Sequence, residues 1–382
     1  MQNYDVVVIG AGSMGMAAGY FLAKNGKKTL LLDSFNPPHD HGSHHGETRI
    51  IRYAYGEGEQ YVPFALRARD LWQDLAQKTN KELFLQTGVI NVGDRDDRFI
   101  QNVITSAGKF DLPLEVLSSG DIHKKWEGIY LPENFIGCYE PTSGILKVEL
   151  CMEAYRELAV KEGAEIRTNS KVIQIDTQSD HQLIITTENG ESFTSNSAVL
   201  SVGAWAGELL KQLDLNLPLT PIRKTFAWYD VDEGLYSRSK FPAFAFELSD
   251  SIFYGFPSID GAGLKVGRHD GGEMINPDED KLPFGEVLGD EEDLTSFLDR
   301  FMPHEHTLKF GKTCMYTMTP DEDFIIDTHP NFKNIAIAAG FSGHGFKFAS
   351  AVGEALSNLI IKGKTDLDIT PFAINRFNRE SK

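Results

Sequence analysis

Cysteine is scarce: three residues in 382, Cys138, Cys151 and Cys314, an odd number, widely spaced and with no C-x-x-C pair. That excludes a disulfide framework and a thiolate zinc site, and it predicts a soluble protein of a reducing compartment, the cytoplasm. No stretch approaches the roughly 18 consecutive apolar residues of a membrane-spanning helix. The start, Met1-Gln2-Asn3-Tyr4-Asp5, lacks the basic segment of a signal peptide. Positive charge is also short. Lysine and arginine total 37 against 55 aspartates and glutamates, a formal net charge of −18. Such a surface repels nucleic-acid phosphates and anionic lipids, so neither is expected as a partner. Where cations do cluster, they become informative.

The chain is long enough for two or three domains of roughly 150 residues. Its first 35 residues are the most explicit. Val6-Val7-Val8-Ile9 reads as a strand buried on both faces and runs into Gly10-Ala11-Gly12-Ser13-Met14-Gly15, a G-x-G-x-x-G. An apolar helical pattern follows to Asn25-Gly26, then a second strand, Thr29-Leu30-Leu31-Leu32, ending at Asp33. Gly10 allows the tight turn, Gly12 the approach of a pyrophosphate, and Gly15 the packing of helix on strand. Asp33 can accept from a ribose hydroxyl. A lone glycine motif is weak, but strand, helix, second strand and acid together predict a dinucleotide site. The acid favours NAD or FAD over NADP and does not choose between the two.

Residues 64–79 and 150–163 read as helices, and 165–202 as strands with an Asn189-Gly190 hairpin turn. From about 219 the texture changes to short aromatic strands without intervening helices: Phe226–Tyr229, Ala243–Phe246, Ile252–Phe256 and Leu264–Gly267. This predicts an antiparallel sheet inserted into the α/β domain. The chain returns to βα texture at Ile335–Ala339, followed by a Gly-rich turn, Gly340–Lys347, that opens a helix to about 361.

Several side chains invite chemistry. The loop His39–Arg49 carries four histidines within a Gly-containing stretch, and a cofactor-packed loop accounts for them better than a metal site; no metal is expected. Arg49, Arg52 and Lys347 stand in or beside Gly-rich turns, where paired cations suit a carboxylate, the bland alternative being surface salt bridges. Lys265 lies on an apolar strand and points either inward, desolvated, or outward. His269 reads as a satisfied polar residue or a base, and Cys314, by default, as an inert buried thiol. No serine-hydrolase elbow or H-E-x-x-H is present.

Gly10–Gly15, Gly42–Arg52 with Ala54–Gly58, Tyr254–Pro257, Lys265, His269, Cys314 with Tyr316, Asp321–Asp327 and Gly340–Phe348 together resemble the monomeric sarcosine oxidase and N-methyltryptophan oxidase family of FAD-dependent amine oxidases. The likeness runs from about residue 4 to 377. It implies a Rossmann-like FAD-binding domain built from 1–86, 146–218 and 321–382, with an antiparallel-sheet substrate domain from 87–145 and 219–320, an α/β plus α+β architecture. It implies FAD bound covalently through Cys314, overturning the inert-thiol default, with Gly10, Gly12, Gly15, Asp33, His44, His45, Thr48, Arg49, Val172, Met315, Gly343, Gly345, Phe346 and Lys347 around the cofactor. The implied reaction is oxidation of an N-methyl amino acid by O2 in a monomeric enzyme, giving formaldehyde, a primary amino acid and hydrogen peroxide. In it, Arg52 and Lys347 would hold the substrate carboxylate, with Tyr316, Gly343 and Ala245 beside them. Tyr254 and His269 would line the amine pocket, Arg49 would support the reduced flavin, and Lys265 would assist oxygen. Sarcosine is the favoured substrate, N-methyl-L-tryptophan or another N-methyl or cyclic secondary amino acid the alternative. Ala245 is smaller than the residue either group carries there. A carrier-linked flavin dehydrogenase, an NAD-dependent dehydrogenase and a non-catalytic flavoprotein are the competing readings.

Overall fold

The computed structural model describes residues 1–179, 182–279 and 281–379; positions 180–181, 280 and 380–382, which fall within the expected segments 146–218, 219–320 and 321–382, lie outside the described residues. Gln2–Ile9 is a central strand of an eight-stranded sheet. It pairs in parallel with Thr29–Leu32 on one side and Ser192–Leu200 on the other. Glu165–Arg167 continues the parallel run beyond Thr29–Leu32. Ser192–Leu200 changes neighbours along its length: its first half runs antiparallel to Gln182–Thr187, and its end runs parallel to Ile335–Ala339. The expected Asn189-Gly190 turn joins that hairpin, with Gly190 at φ 83°.

Two-residue alternation explains why the first strand has no polar break. Val6 and Val8 face a core shared with the helices Ser13–Lys24, Val62–Thr79, Val148–Lys161 and Ala349–Lys362. Val7 and Ile9 face a second core with Leu209, Leu210 and Ile337 on the opposite side. The first and last of those helices touch closely: a Cβ on Gly353 would lie 2.5 Å from the Cβ of Ala17.

The second sheet has nine strands. Thr220–Val231 pairs antiparallel along His306–Met318 and, on its other edge, with Leu264–Arg268, followed by Ile252–Phe256 and Ala243–Glu247. The aromatic strands pair antiparallel with one another, as expected, but the sheet they join is not purely antiparallel. Ala243–Glu247 pairs in parallel with Val89–Asp94, so the sheet is mixed. Parallel partners need a long crossover, and this one contains the whole of 146–218, which local strand patterns do not reveal. A short helix, Glu233–Tyr236, also interrupts the expected run of strands, and Arg98–Lys109 and Ser119–Lys125 are helices within 87–145.

One face of this sheet is apolar and backed by Glu292–Phe301: Phe244, Phe246, Phe253, Leu264 and Val266 pack against Phe297 and Phe301. The other face carries Asn91, Ala245, Tyr254, Gly267 and Phe226 in one cross-strand row, with Lys265 in the next. A small three-stranded sheet, Thr48–Ile51, Gly144–Lys147 and Phe84–Leu85, bridges the two large ones. Among the described residues no helix is long and apolar enough to cross a membrane.

The close helix pair is testable. Gly353→Leu is expected to lose about 3 kcal/mol through overpacking, seen as a lower urea midpoint. Gly207→Ala, whose added Cβ meets nothing within 4 Å, serves as the matched control. Equal midpoints would refute the tight contact.

Candidate active site

The glycine turn is built as its motif predicts. Gly10 adopts φ 88°, and a Cβ on Gly15 would fall 1.9 Å from the Gly10 carbonyl oxygen, so that helix and strand touch only because the side chain is absent. Asp33, at the end of Thr29–Leu32, braces the turn: its Oδ2 accepts from the Ala11 amide at 2.8 Å and its Oδ1 from the Phe35 amide at 2.9 Å. Each oxygen keeps a lone pair for a ligand hydroxyl. A cavity of about 350 Å³ runs from this turn along Gly10, Gly12, Asp33, His44 and Val172 to Arg49, Tyr316, Gly343, Gly345 and Phe346. It joins the βαβ turn to the turn after Ile335–Ala339, the strand-end crevice where open α/β sheets bind ligands.

The histidine loop closes over this cavity. His44 and His45 are buried, and His44 Nε2 and both nitrogens of His45 have no hydrogen-bond partner. Buried polar atoms are normally paired, so these orphans, beside a cavity edged by a phosphate-type glycine turn, fit a bound dinucleotide. Burial pushes His44 down to about 3 and His45 to about 2, so both are neutral at pH 7. Ser43 Oγ donates to the Met315 carbonyl and ties the loop to the strand bearing Cys314. Arg49 donates to the Thr48 carbonyl at 2.8 Å and the Ser43 carbonyl at 2.7 Å.

The open question of Lys265 is settled by the pleat: its side chain points inward and is 2% exposed. Nζ donates to the Gly46 carbonyl at 2.5 Å and to Thr48 Oγ1 at 3.2 Å, among the rings of Phe226, Trp228 and Phe256. Burial first, then Arg49, drives its pKa well below the ordinary lysine value. Cys314 is 1% exposed and stands opposite Lys224 in the ladder. Burial raises its thiol, while Arg49, Lys265, Lys281 and Lys224 pull the other way.

Arg52 and Lys347 come together over one ring, the guanidinium carbon 4.8 Å and Nζ 5.2 Å from the Tyr55 centroid. Neither is a surface cation. Arg52 donates from Nη1 to Asn91 Oδ1 at 2.9 Å and from Nη2 to Glu57 Oε1 at 2.5 Å. Lys347 donates to the His344 carbonyl at 2.8 Å and to the Tyr55 hydroxyl at 3.1 Å. Burial, then the nearby Arg52, lowers Lys347 to about 7. His269 lies between Tyr316 and Tyr254, with ring centroids at 5.5 and 6.5 Å, and burial lowers it to about 3. Burial pushes the Tyr254 phenol up to about 12. Gly343 is packed so closely that a Cβ would sit 2.2 Å from the Tyr316 ring. Ala245 sits in the ladder between Asn91 and Tyr254.

Of the site residues expected from the sequence, Gly10, Gly12, Asp33, His44, Arg49, Val172, Tyr316, Gly343, Gly345 and Phe346 line this cavity, while the others, Arg52, Lys347 and Lys265 among them, lie outside its lining. Sequence reasoning missed Glu57, Asn91, Glu140 and Lys224. For Asn91, Glu140 and Lys224 the only signal was a polar residue on an apolar strand, as in Val89-Ile90-Asn91-Val92; Glu57 lies in a bend between Gly56 and Gly58 and carried no such signal.

The family described as FAD dependent oxidoreductase matches residues 5–359. The chain is 48% identical over 378 residues to the monomeric sarcosine oxidase of Arthrobacter sp. (strain TE1826), covering 98% of this chain and 97% of that protein. It is 49% identical over 377 residues to that of Bacillus sp. (strain B-0618), covering 98% and 96%. The N-methyl-L-tryptophan oxidase of Yersinia pestis (strain Pestoides F) is 43% identical over 378 residues, with 98% and 100% covered. In fold, the chain is similar to NikD, an amino acid oxidase of nikkomycin biosynthesis (TM-score 0.87, 22% identity, 98% of each chain), and to L-proline dehydrogenase from P. horikoshii (0.87, 22%, 99% of each). With the glycine turn, the orphaned histidines and the crevice all suited to a flavin dinucleotide, the chain belongs to the FAD-dependent oxidoreductase family, close to the monomeric sarcosine and N-methyltryptophan oxidases, and takes FAD as its cofactor.

Proposed function

We propose that the protein oxidises the N-methyl group of a small amino acid, sarcosine before N-methyl-L-tryptophan, with O2 as electron acceptor. The products are the demethylated amino acid, formaldehyde and hydrogen peroxide. The observation that carries this reading is the meeting of two buried cations, Arg52 and Lys347, on the Tyr55 ring beside the Tyr254–His269 pair. Bound FAD supplies the two-electron acceptor, attached through Cys314. The protein's own groups do the rest. Arg52 and Lys347 grip the carboxylate and fix the N-methyl carbon, turning the encounter into an effectively unimolecular step. His269, held neutral by burial, accepts a hydrogen bond rather than repelling the amine, and with Tyr254 it favours the uncharged, reactive amine. Arg49 and the positive end of the Ala349–Lys362 helix beyond Gly343 offer positive potential to developing negative charge. Lys265 presents its ammonium where reduced oxygen forms.

The domain division into 1–86, 146–218 and 321–382 against 87–145 and 219–320 accords with which strands join which large sheet. Three free, buried cysteines favour the cytoplasm, and the relatives' names favour a monomer. Ala245 stands between Asn91 and Tyr254 in the ladder with a side chain that ends at Cβ, the feature on which the N-methyl-L-tryptophan alternative rests.

The deciding experiment adds sarcosine and, separately, N-methyl-L-tryptophan under anaerobic conditions and follows the visible flavin band. Rapid bleaching by sarcosine is expected, and bleaching by neither would overturn the substrate class. Peroxide should form in air without an added carrier. On acid precipitation the yellow colour should stay with the wild-type pellet and move to the supernatant in Cys314→Ala; full release from the wild type would sink the covalent link.

Lys265→Met is expected to slow reoxidation of the flavin about a hundredfold or more while sparing its reduction by sarcosine. Equal slowing of both half-reactions would remove its oxygen role. A pH effect follows from Lys347, whose pKa is lowered to about 7. Its charged form binds a carboxylate, so affinity is full below pH 7 and falls as pH rises through that value. Methoxyacetate, which carries no amine of its own, should therefore bind progressively more weakly from pH 7 to 9. Lys347→Met should flatten that slope, and an unchanged slope would assign it elsewhere.

A further inference from the structure

Arg52 does not aim itself. Its guanidinium lies between the rings of Tyr55 and Phe99, 4.8 and 5.0 Å from their centroids, which sets its plane but not its direction within that plane. An arginine side chain has many rotamers to lose on ordering. Two residues of the mixed sheet constrain it from outside its own segment. Asn91 on Val89–Asp94 accepts from Nη1 at 2.9 Å, and Glu140 on Phe135–Glu140 accepts from the amides of Tyr53 at 3.0 Å and Ala54 at 3.2 Å. Glu140 stands opposite Val89 and Asn91 opposite Cys138, so both side chains project from one face, the face that also carries Ala245 and Tyr254.

Both residues are costly where they are. Each is 0% exposed, Asn91 Nδ2 and Glu140 Oε1 have no partner, and among the described residues Glu140 joins no salt bridge. Burial accordingly raises the Glu140 carboxyl, and the two amides, Ser143 and Arg52 pull it back only in part. Apolar residues of similar volume would suit such positions better for stability alone. What the polar pair adds is geometry, because one holds the head of Arg52 and the other holds the backbone directly after it.

We propose that Asn91 and Glu140 are positioning residues for substrate recognition, a two-point clamp by which the mixed sheet aims Arg52 at the carboxylate of the bound amino acid. The inference rests on Arg52 being the carboxylate ligand and goes beyond it by naming what holds that ligand in place. Neither residue lines the cavity suited to the dinucleotide. Their loss therefore weakens carboxylate binding and raises KM, while the limiting rate of flavin reduction stays close to that of the wild type.

The test uses the flavin-loaded enzyme and its Asn91→Leu, Glu140→Gln, Glu140→Ala and Arg52→Met variants. Methoxyacetate binding is read from the perturbation of the flavin band, beside flavin content and the anaerobic reduction rate at saturating sarcosine. Asn91→Leu and Glu140→Ala are expected to weaken methoxyacetate about tenfold or more, the loss of one hydrogen bond to a charged group. Glu140→Gln keeps an acceptor and should fall between them and the wild type, which preserves a readout if Glu140→Ala does not fold. Flavin content and limiting reduction rate should stay within about threefold of the wild type. Binding unchanged in folded Asn91→Leu and Glu140→Gln overturns the clamp, as does affinity lost only in step with flavin content. If Arg52→Met itself binds methoxyacetate like the wild type, the carboxylate reading of Arg52 has failed, and the clamp falls with it.

Discussion

Burying positive charge without cancelling it is the constraint on which this site depends. Lys265 and Lys347 have lost their water, and their N–H groups are satisfied by carbonyls and hydroxyls of Gly46, Thr48, His344 and Tyr55. Neutral acceptors meet the hydrogen-bonding requirement but leave the charge uncompensated, so both ammonium pKa values fall. Such a group gains most when an anion arrives beside it. An anion beside either ammonium would raise its pKa again. Carboxylate partners would have secured the lysines and removed their use.

The rest of the architecture serves that condition. The mixed sheet sorts its residues by alternation: large aromatics on one face pack against Glu292–Phe301, while the other face carries Lys265, Tyr254, Ala245 and Asn91. The α/β sheet supplies the opposite wall through the turns after Gln2–Ile9 and Ile335–Ala339. Histidines that would be partly protonated in water near neutral pH are held neutral here by burial, so they add hydrogen-bonding capacity without repelling an amine substrate.

Arg52 differs from the two lysines because it already meets a carboxylate, Glu57 at 2.5 Å, and an amide, Asn91 at 2.9 Å. Its guanidinium stays charged at any working pH, so its contribution depends on direction rather than on ionisation. On the proposed reading of the site this divides the labour: Lys347 supplies a charge that responds to pH, and Arg52 a fixed fork whose orientation comes from its neighbours.

By itself the sequence determined whatever depends on neighbours in the chain. The β-branched run into Gly10–Gly15, with Asp33 about twenty residues on, specified the dinucleotide turn because turn, helix start and strand end are local events. The long motifs around Arg49–Arg52, Lys265, Cys314 and Gly340–Phe348 carried the family and named one end of the crevice. Tertiary structure alone decided what requires distant partners. Lys265 could face either way until the pleat pointed it inward. The aromatic strands looked antiparallel until Ala243–Glu247 met Val89–Asp94 in parallel across more than a hundred intervening residues. Asn91 and Glu140 had no legible role, because a polar side chain in an unremarked segment acquires meaning only from the group it touches. Periodicity encodes which face a residue shares with its neighbours; which distant residue it meets is set by packing, and that is where the substrate end of the site was made.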